Sequence, residues 1–265
     1  MTLALARTFA LTLALPLFAA TTAPYLVKDL PGPIEARGSL GSFWVTVGNT
    51  SWFTADSGDG LGLQVWRTDG TESGTVRVTS VVTSGLHAET FVGAINGHIL
   101  YGGHDGFTNA LLSLDVSGGA PETLAQGRFG ERGILYQGAL YVAGTAREDG
   151  GADKGTELFR TDGTLEGTTF ADLNPGAASS MSPDSLALAG DWIVFAGQTA
   201  AGKGIYRTDG TVAGTSLLLA LPAGFEPHEA DLTQFGDRAV FVFNNAGFNN
   251  DQLWITDGTP DGTQP

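Results

Sequence analysis

The amino-acid sequence predicts an all-β fold assembled from four-stranded repeats, and three observations carry that reading. One phrase occurs four times, as Trp66-Arg67-Thr68-Asp69-Gly70-Thr71, Phe159-Arg160-Thr161-Asp162-Gly163-Thr164, Tyr206-Arg207-Thr208-Asp209-Gly210-Thr211 and Trp254-Ile255-Thr256-Asp257-Gly258-Thr259. A Gly-Thr pair follows each at the same distance, Gly74-Thr75, Gly167-Thr168, Gly214-Thr215 and Gly262-Thr263. The last three phrase aspartates stand 47 and 48 residues apart, and the first gap of 93 holds a worn copy at its middle, Leu112-Ser113-Leu114-Asp115-Val116-Ser117. A period of that length indicates a solenoid, a propeller or an array. No segment after residue 23 sustains a 3.6-residue apolar period, whereas short strand-type runs bounded by Gly, Asn and Asp recur throughout.

In chain order, residues 1–23 read as an export signal. Arg7 is the only charge there, a Leu/Ala/Phe stretch runs from Phe9 to Ala20, and small residues continue to Ala23. Cleavage is expected between Ala20 and Ala23. The apolar run is short for a membrane span and Thr12 interrupts it, so a secreted, extracellular or cell-surface protein is expected. Residues 24–265 then form one domain, with units near 39–84, 85–127, 128–174, 184–222 and 229–263.

The fourth unit shows the pattern most plainly. Asp184 to Leu188, Trp192 to Ala196, Gly204 to Thr208 and Thr215 to Leu221 read as four strands, the first two joined at Gly190-Asp191. The same first turn occurs at Gly48-Asn49, Asn96-Gly97, Gln137-Gly138 and Gly236-Asp237, where tight hairpins need positive φ. Three residues before each aspartate stands Trp66, Leu112, Phe159, Tyr206 or Trp254; four before it stands Val65, Leu111, Leu158, Ile205 or Leu253. Adjacent strand residues face opposite sides, so both sheet faces are apolar here. Sheets covered on both sides by like sheets are the arrangement of a β-propeller. The fifth unit reaches Thr263 where its fourth strand is due, and Leu26-Val27-Lys28-Asp29-Leu30-Pro31-Gly32 reads like the fourth-strand ending Phe170-Ala171-Asp172-Leu173-Asn174-Pro175-Gly176. The expectation is a five-bladed β-propeller in which residues 25–30 close the last blade and remove an exposed edge. A fragment of a longer array is the alternative.

Composition narrows the function classes. The formal net charge is −15, with 13 basic residues spread along the chain, so nucleic acid and anionic membrane are disfavoured as partners. There is no cysteine, hence no disulfide framework and no thiol chemistry.

The repeated phrase resembles the repeat family named for its consensus Glu-Leu-Trp-x-x-Asp-Gly-Thr. Thr156-Glu157-Leu158-Phe159 through Thr168 and Leu253-Trp254 through Thr263 match it closely, Lys28-Asp29-Leu30 matches its first element, and Phe53-Thr54-Ala55 its second. The resemblance implies an exported bacterial protein without an assigned biochemical function. The second unit departs from the pattern at Val116 and Ser117. A ring of five units of this length also resembles tachylectin-type five-bladed lectins, in architecture only.

Candidate chemistry is sparse. The phrase aspartates Asp69, Asp115, Asp162, Asp209 and Asp257 read as structural turn residues, Asp bonding its own downstream backbone while Gly takes positive φ. Arg67, Arg160 and Arg207 recur beside them and are expected over neighbouring aromatics or carboxylates. Asp56 and Asp59 resemble a calcium loop but lack the alternating acidic pattern and a downstream Glu. Glu148, Asp149 and Asp153 occupy the matching loop of the third unit, and Asn244, Asn245, Asn249, Asn250 and Asp251 that of the fifth. A solvated loop is the first reading of these groups and calcium the second; no other cofactor is expected.

Of His87, His98, His104 and His228, none has zinc spacing. His104 and His228, with Phe107, Phe225 and Phe248, are the candidate ligand contacts, because their loops share one face of the ring. Carboxylates near first strands, Glu89, Glu131, Asp184 and Asp231, are the alternative, a carbohydrate-active hydrolase or lyase. The expected function is therefore a monomeric, non-enzymatic repeat protein that binds a glycan, cell-surface component or protein. A purely structural surface or matrix module is the third reading.

Overall fold

The computed structural model describes residues 40–60, 62–79, 90–104, 108–147, 153–221, 232–244 and 251–265. These residues build five antiparallel sheets in chain order. Sheet 1 holds β1 (Leu40–Val47), β2 (Thr50–Asp56), β3 (Leu63–Thr68) and β4 (Val76–Arg77). Sheet 2 holds β5 (Thr90–Ile95), β6 (His98–His104), β7 (Asn109–Asp115) and β8 (Glu122–Gln126). Sheet 3 comprises β9 (Ile134–Tyr136), β10 (Ala139–Arg147), β11 (Asp153–Thr161) and β12 (Thr169–Ala171). Sheet 4 comprises β13 (Met181–Ala189), β14 (Trp192–Thr199), β15 (Gly202–Thr208) and β16 (Ser216–Ala220). In sheet 5 the described strands are β17 (Leu232–Phe235), β18 (Arg238–Asn244) and β19 (Asp251–Thr256).

Two-residue turns join the first two strands of every sheet. Asn96 and Gln137 take positive φ, 49° and 46°, ahead of Gly97 and Gly138, as tight hairpins require. The first strand of sheet 4 begins at Met181, earlier than the sequence pattern indicates, because Met181 pairs with Gly197 across a bulge before regular pairing resumes at Leu186.

The sheets stack in sequence order, β1 beside β5, β5 beside β10, β10 beside β13 and β13 beside β17. Each interface repeats one rule. Val65 of sheet 1 shares a core with Leu112 of sheet 2, and Leu111 with Phe159 of sheet 3. Leu158 then packs with Tyr206 of sheet 4, and Ile205 with Trp254 of sheet 5. The aliphatic face of each sheet thus meets the next sheet's more often aromatic face. Two faces lie outside this series. On sheet 1, Trp66 and Phe53 extend a row to Trp44, whose ring stacks 4.6 Å from Phe53 and is 52% exposed. On sheet 5, Leu253 is 63% exposed, although its counterparts Val65, Leu111, Leu158 and Ile205 are buried.

Beside β19, Gln264 exchanges both backbone hydrogen bonds with Ile255, 2.9 and 3.0 Å. That pair holds the register of Arg67–Val76, Arg160–Thr169 and Arg207–Ser216 in the four-stranded sheets. Residues 25–30 lie outside the described residues.

Candidate functional site

The phrase that repeats is a hydrogen-bonded knot. Asp69 Oδ1 accepts from the Thr71 N–H at 2.9 Å and from the Thr71 hydroxyl at 2.7 Å. The same pair of bonds occurs at Asp162, Asp209 and Asp257. At Asp115 the acceptor serves the Ser117 N–H, 2.7 Å, so the worn copy keeps the turn. The hydroxyls of Thr68 and Thr75 meet at 2.7 Å, as do those of Thr161 and Thr168, and Thr75 also donates to the Thr71 carbonyl. The second glycine has a steric cause: a Cβ on Gly74 would lie 1.9 Å from Asp69 Oδ1, and one on Gly167 2.0 Å from Asp162 Oδ1. Hydrogen bonds from Thr71, Ser117, Thr164 and Thr259 hold the carboxyls of Asp69, Asp115, Asp162 and Asp257 below the usual value.

The knots also mark where sheets meet. A Cβ on Gly163 would strike His98 of sheet 2, on Gly210 Tyr141 of sheet 3, and on Gly258 Trp192 of sheet 4, whereas Gly70 has nothing within 4 Å. Arg207 lies 4.3 Å over the Trp192 ring and donates to the Gly258 carbonyl at 3.0 Å, joining sheet 4 to the knot of sheet 5.

Asp56 Oδ1 accepts from the Gly58 N–H at 2.8 Å, an Asx turn, and Asp59 forms an ion pair with Arg77. Among the described residues no three His, Asp or Glu side chains group as metal ligands. Asp153 Oδ1 likewise accepts from the Gly155 N–H at 2.9 Å. His104 ends β6, half-buried and in register with Asn109. Phe107, Phe225, Phe248 and His228 lie outside the described residues, with His87, Glu89, Glu148, Asp149, Asp231, Asn245, Asn249 and Asn250. So do the side chains of Asp184, Asn244 and Asp251.

The cavity next to His104 is formed by residues that the sequence pattern does not single out, Glu131 excepted. It measures about 280 Å³ and opens where β6 ends, β7 begins and the chain leaves β8 for sheet 3. Gly102, Gly103, Asn109 and Ala110 form one wall; Gly127, Arg128, Phe129 and Glu131 form the other. The second wall is pinned. Gly127 N–H donates to the Asn109 carbonyl at 2.7 Å, and Thr145 N–H to the Arg128 carbonyl at 2.8 Å. Phe129 pairs with Gly144, its ring edge-on to Phe159 at 4.9 Å.

One position bordering the cavity lies five residues before each phrase aspartate and reads Gln64, Ala110, Glu157, Gly204 and Gln252 across the repeats. Gln64 is buried, and its Oε1 accepts from the Thr79 hydroxyl at 3.0 Å. Glu157 is wholly buried, and its Oε2 accepts from the Leu173 N–H at 2.8 Å, fastening the strap from β12 to β13. Its Oε1 has no hydrogen-bond partner among the described residues. Burial pushes this carboxyl up to about 7; nearby Asp172 adds to the rise, and the hydrogen bond from the Leu173 N–H opposes it. Ala110 has no such side chain and borders the cavity in sheet 2, whereas at Gly204 the space is taken by Leu217 and Leu219.

No family model and no curated protein matches the chain. Solved structures do resemble it. A prolyl endopeptidase structure is 12% identical with a TM-score of 0.52, covering 84% of this chain and 35% of that one. TolB from Acinetobacter baumannii is 16% identical over 65% of this chain and 41% of its own, with a TM-score of 0.39. A putative TolB from Agrobacterium tumefaciens is 13% identical over 84% and 78%, at 0.43. This chain therefore spans well under two thirds of the first two. The likeness to the prolyl endopeptidase, whose TM-score is above 0.5, agrees with an all-β, propeller-like fold and shows no more. Among the described residues no helix is long and apolar enough to cross a membrane.

Proposed function

We propose that this chain is an exported, non-enzymatic five-bladed β-propeller of the Glu-Leu-Trp-x-x-Asp-Gly-Thr repeat type, and that it binds a saccharide through one loop face. The carrying observation is the cavity beside Ala110. It combines an amide, a guanidinium, a carboxylate and an aromatic edge on walls held by backbone hydrogen bonds. A pre-formed concave site with a few placed polar groups is the usual form of a small-ligand site. The cavity lies at the end of β6 and the start of β7, one residue from His104, on the face where the sequence places the contact loops.

The deciding experiment is a screen of the intact protein against soluble polysaccharides, paired with Ala110→Gln, which copies the residue that Gln64 and Gln252 supply in sister repeats. Saturable binding that Ala110→Gln removes supports the reading. Binding left unchanged by that variant moves the site elsewhere, and turnover of the saccharide replaces a binding protein with an enzyme.

Ring closure is supported by the two faces left over from the stacking rule. Leu253 and Ile255 of sheet 5 present an aliphatic face, Trp44, Phe53 and Trp66 of sheet 1 an aromatic one. Every other such pair is an interface, and burying both would remove large apolar area from water. Residues 25–30 would complete sheet 5 beyond the Ile255–Gln264 pair. The chain lacks cysteine, so Trp44→Cys with Leu253→Cys gives two unique thiols for a short bismaleimide. Intramolecular cross-linking in dilute protein supports the ring; cross-linking only between molecules points to an open array.

A further inference from the structure

We infer that the cavity beside Ala110 takes an acidic sugar, a uronate unit whose carboxylate pairs with Arg128; this rests on the saccharide reading above. The argument begins with charge. The chain carries 28 acidic and 13 basic residues, so any arginine has many carboxylates to choose from. Arg77 engages Asp59, Lys154 engages Asp172 at 3.4 Å, and Arg207 engages Trp192 and the Gly258 carbonyl. Arg128 makes no ion pair or side-chain hydrogen bond among the described residues, although its backbone is fixed by Thr145. It is exposed and lines the cavity.

A positioned but uncommitted guanidinium suits a planar oxyanion, because its donors form a rigid fork that matches a carboxylate with two parallel bonds. The rest of the wall suits a sugar ring. Asn109 offers an amide donor and acceptor for hydroxyls, Glu131 a carboxylate acceptor, and Phe129 an apolar edge. At about 280 Å³ the space lies at the small end of ligand cavities, so one pyranose unit fits and a branched one does not. The equivalent position in the next repeat carries no arginine. There Ser180 stands for Arg128, its carbonyl accepting from Gln198 as that of Arg128 accepts from Thr145, and Glu157 fills the space.

The test is calorimetric titration of the intact protein at 150 mM salt, where a Debye length of about 8 Å damps the overall negative field. The probes are a glucuronate-containing disaccharide, its neutral glucose counterpart and glucose 6-phosphate. The expected result is saturable binding of the uronate, weakened at least tenfold by Arg128→Ala and abolished by Ala110→Gln, both variants checked for an unchanged melting profile. Equal affinity for the neutral sugar, untouched by Arg128→Ala, overturns the acidic-sugar inference and leaves the saccharide reading standing. Equal affinity for glucose 6-phosphate overturns the choice of carboxylate in favour of a general oxyanion. Failure of all three sugars to bind, while a polysaccharide from the wider screen still does, overturns the inference alone; if nothing in that screen binds either, the saccharide reading falls with it.

Discussion

The junctions leaving sheet 2 and sheet 3 are built from equivalent positions and come out opposite. In both, a residue of the connection after the fourth strand lends its carbonyl to the second strand of the next sheet, Arg128 to Thr145 and Ser180 to Gln198, and the next residue pairs with a glycine, Phe129 with Gly144 and Met181 with Gly197. At the sheet 3 exit a buried Glu157 fills the interior and holds the strap through Leu173. At the sheet 2 exit Ala110 leaves the interior empty, and glycines at 102, 103 and 127 widen it. The repeat scaffold tolerates either solution because the sheet cores on both sides are already closed. One stabilises the strap and the other opens a cavity.

The largest effect that would sharpen this contrast is Glu157→Ala. It creates a cavity and strands the buried Leu173 N–H, so a loss of about 2–4 kcal/mol is expected in urea unfolding at pH 5. A loss below about 1 kcal/mol would show that the strap does not depend on Glu157.

Glu157→Gln acts through pH. The folded carboxyl titrates near 7, above its usual 4.5, so folding favours the protonated form. Its stabilising contribution is complete below about 4.5, falls as pH rises, and is gone above about 7. Wild-type stability should therefore fall across that window, and Glu157→Gln should flatten the fall and raise stability at pH 8. A wild-type melting temperature that stays level from pH 5 to 8 would break the argument.

The knot carboxylates run the other way. Hydrogen bonds to Thr164 hold Asp162 below its usual 3.8, so its contribution is present above that value and is lost as pH falls further. Asp162→Asn should cost less than about 1 kcal/mol at pH 7 and lessen the sensitivity of the fold between pH 4 and 2, read by circular dichroism. The smallest expected effect on stability is Ala110→Gln, within about 1 kcal/mol, since Gln64 is accommodated at the matching place. A collapse of the fold in that variant would mean that the two junctions are not equivalent.

Much of the architecture was legible in the residues. The period, the positive-φ turns and the paired apolar positions at Leu111-Leu112 and Ile205-Tyr206 anticipate hairpins stacked on both faces. The candidate site was legible only in part. The column Gln64, Ala110, Glu157, Gly204 and Gln252 is visible in the alignment of the repeats. That Gln64 and Glu157 reach inward to the strap, while Ala110 borders a cavity, is a matter of three-dimensional packing. Arg128 and Phe129 belong to a connection without repeat character, and no periodicity singles them out.

By itself the sequence determined the repeat, the antiparallel hairpins and the knot that closes each one, because these depend on local φ preference, side-chain alternation and short hydrogen bonds. Only the tertiary structure decided which faces meet, why Gly163 and Gly258 must yield to His98 and Trp192, and where the interior is left unfilled. Those outcomes depend on volumes contributed by residues far apart in the chain, and a volume between sheets has no signature along a single strand.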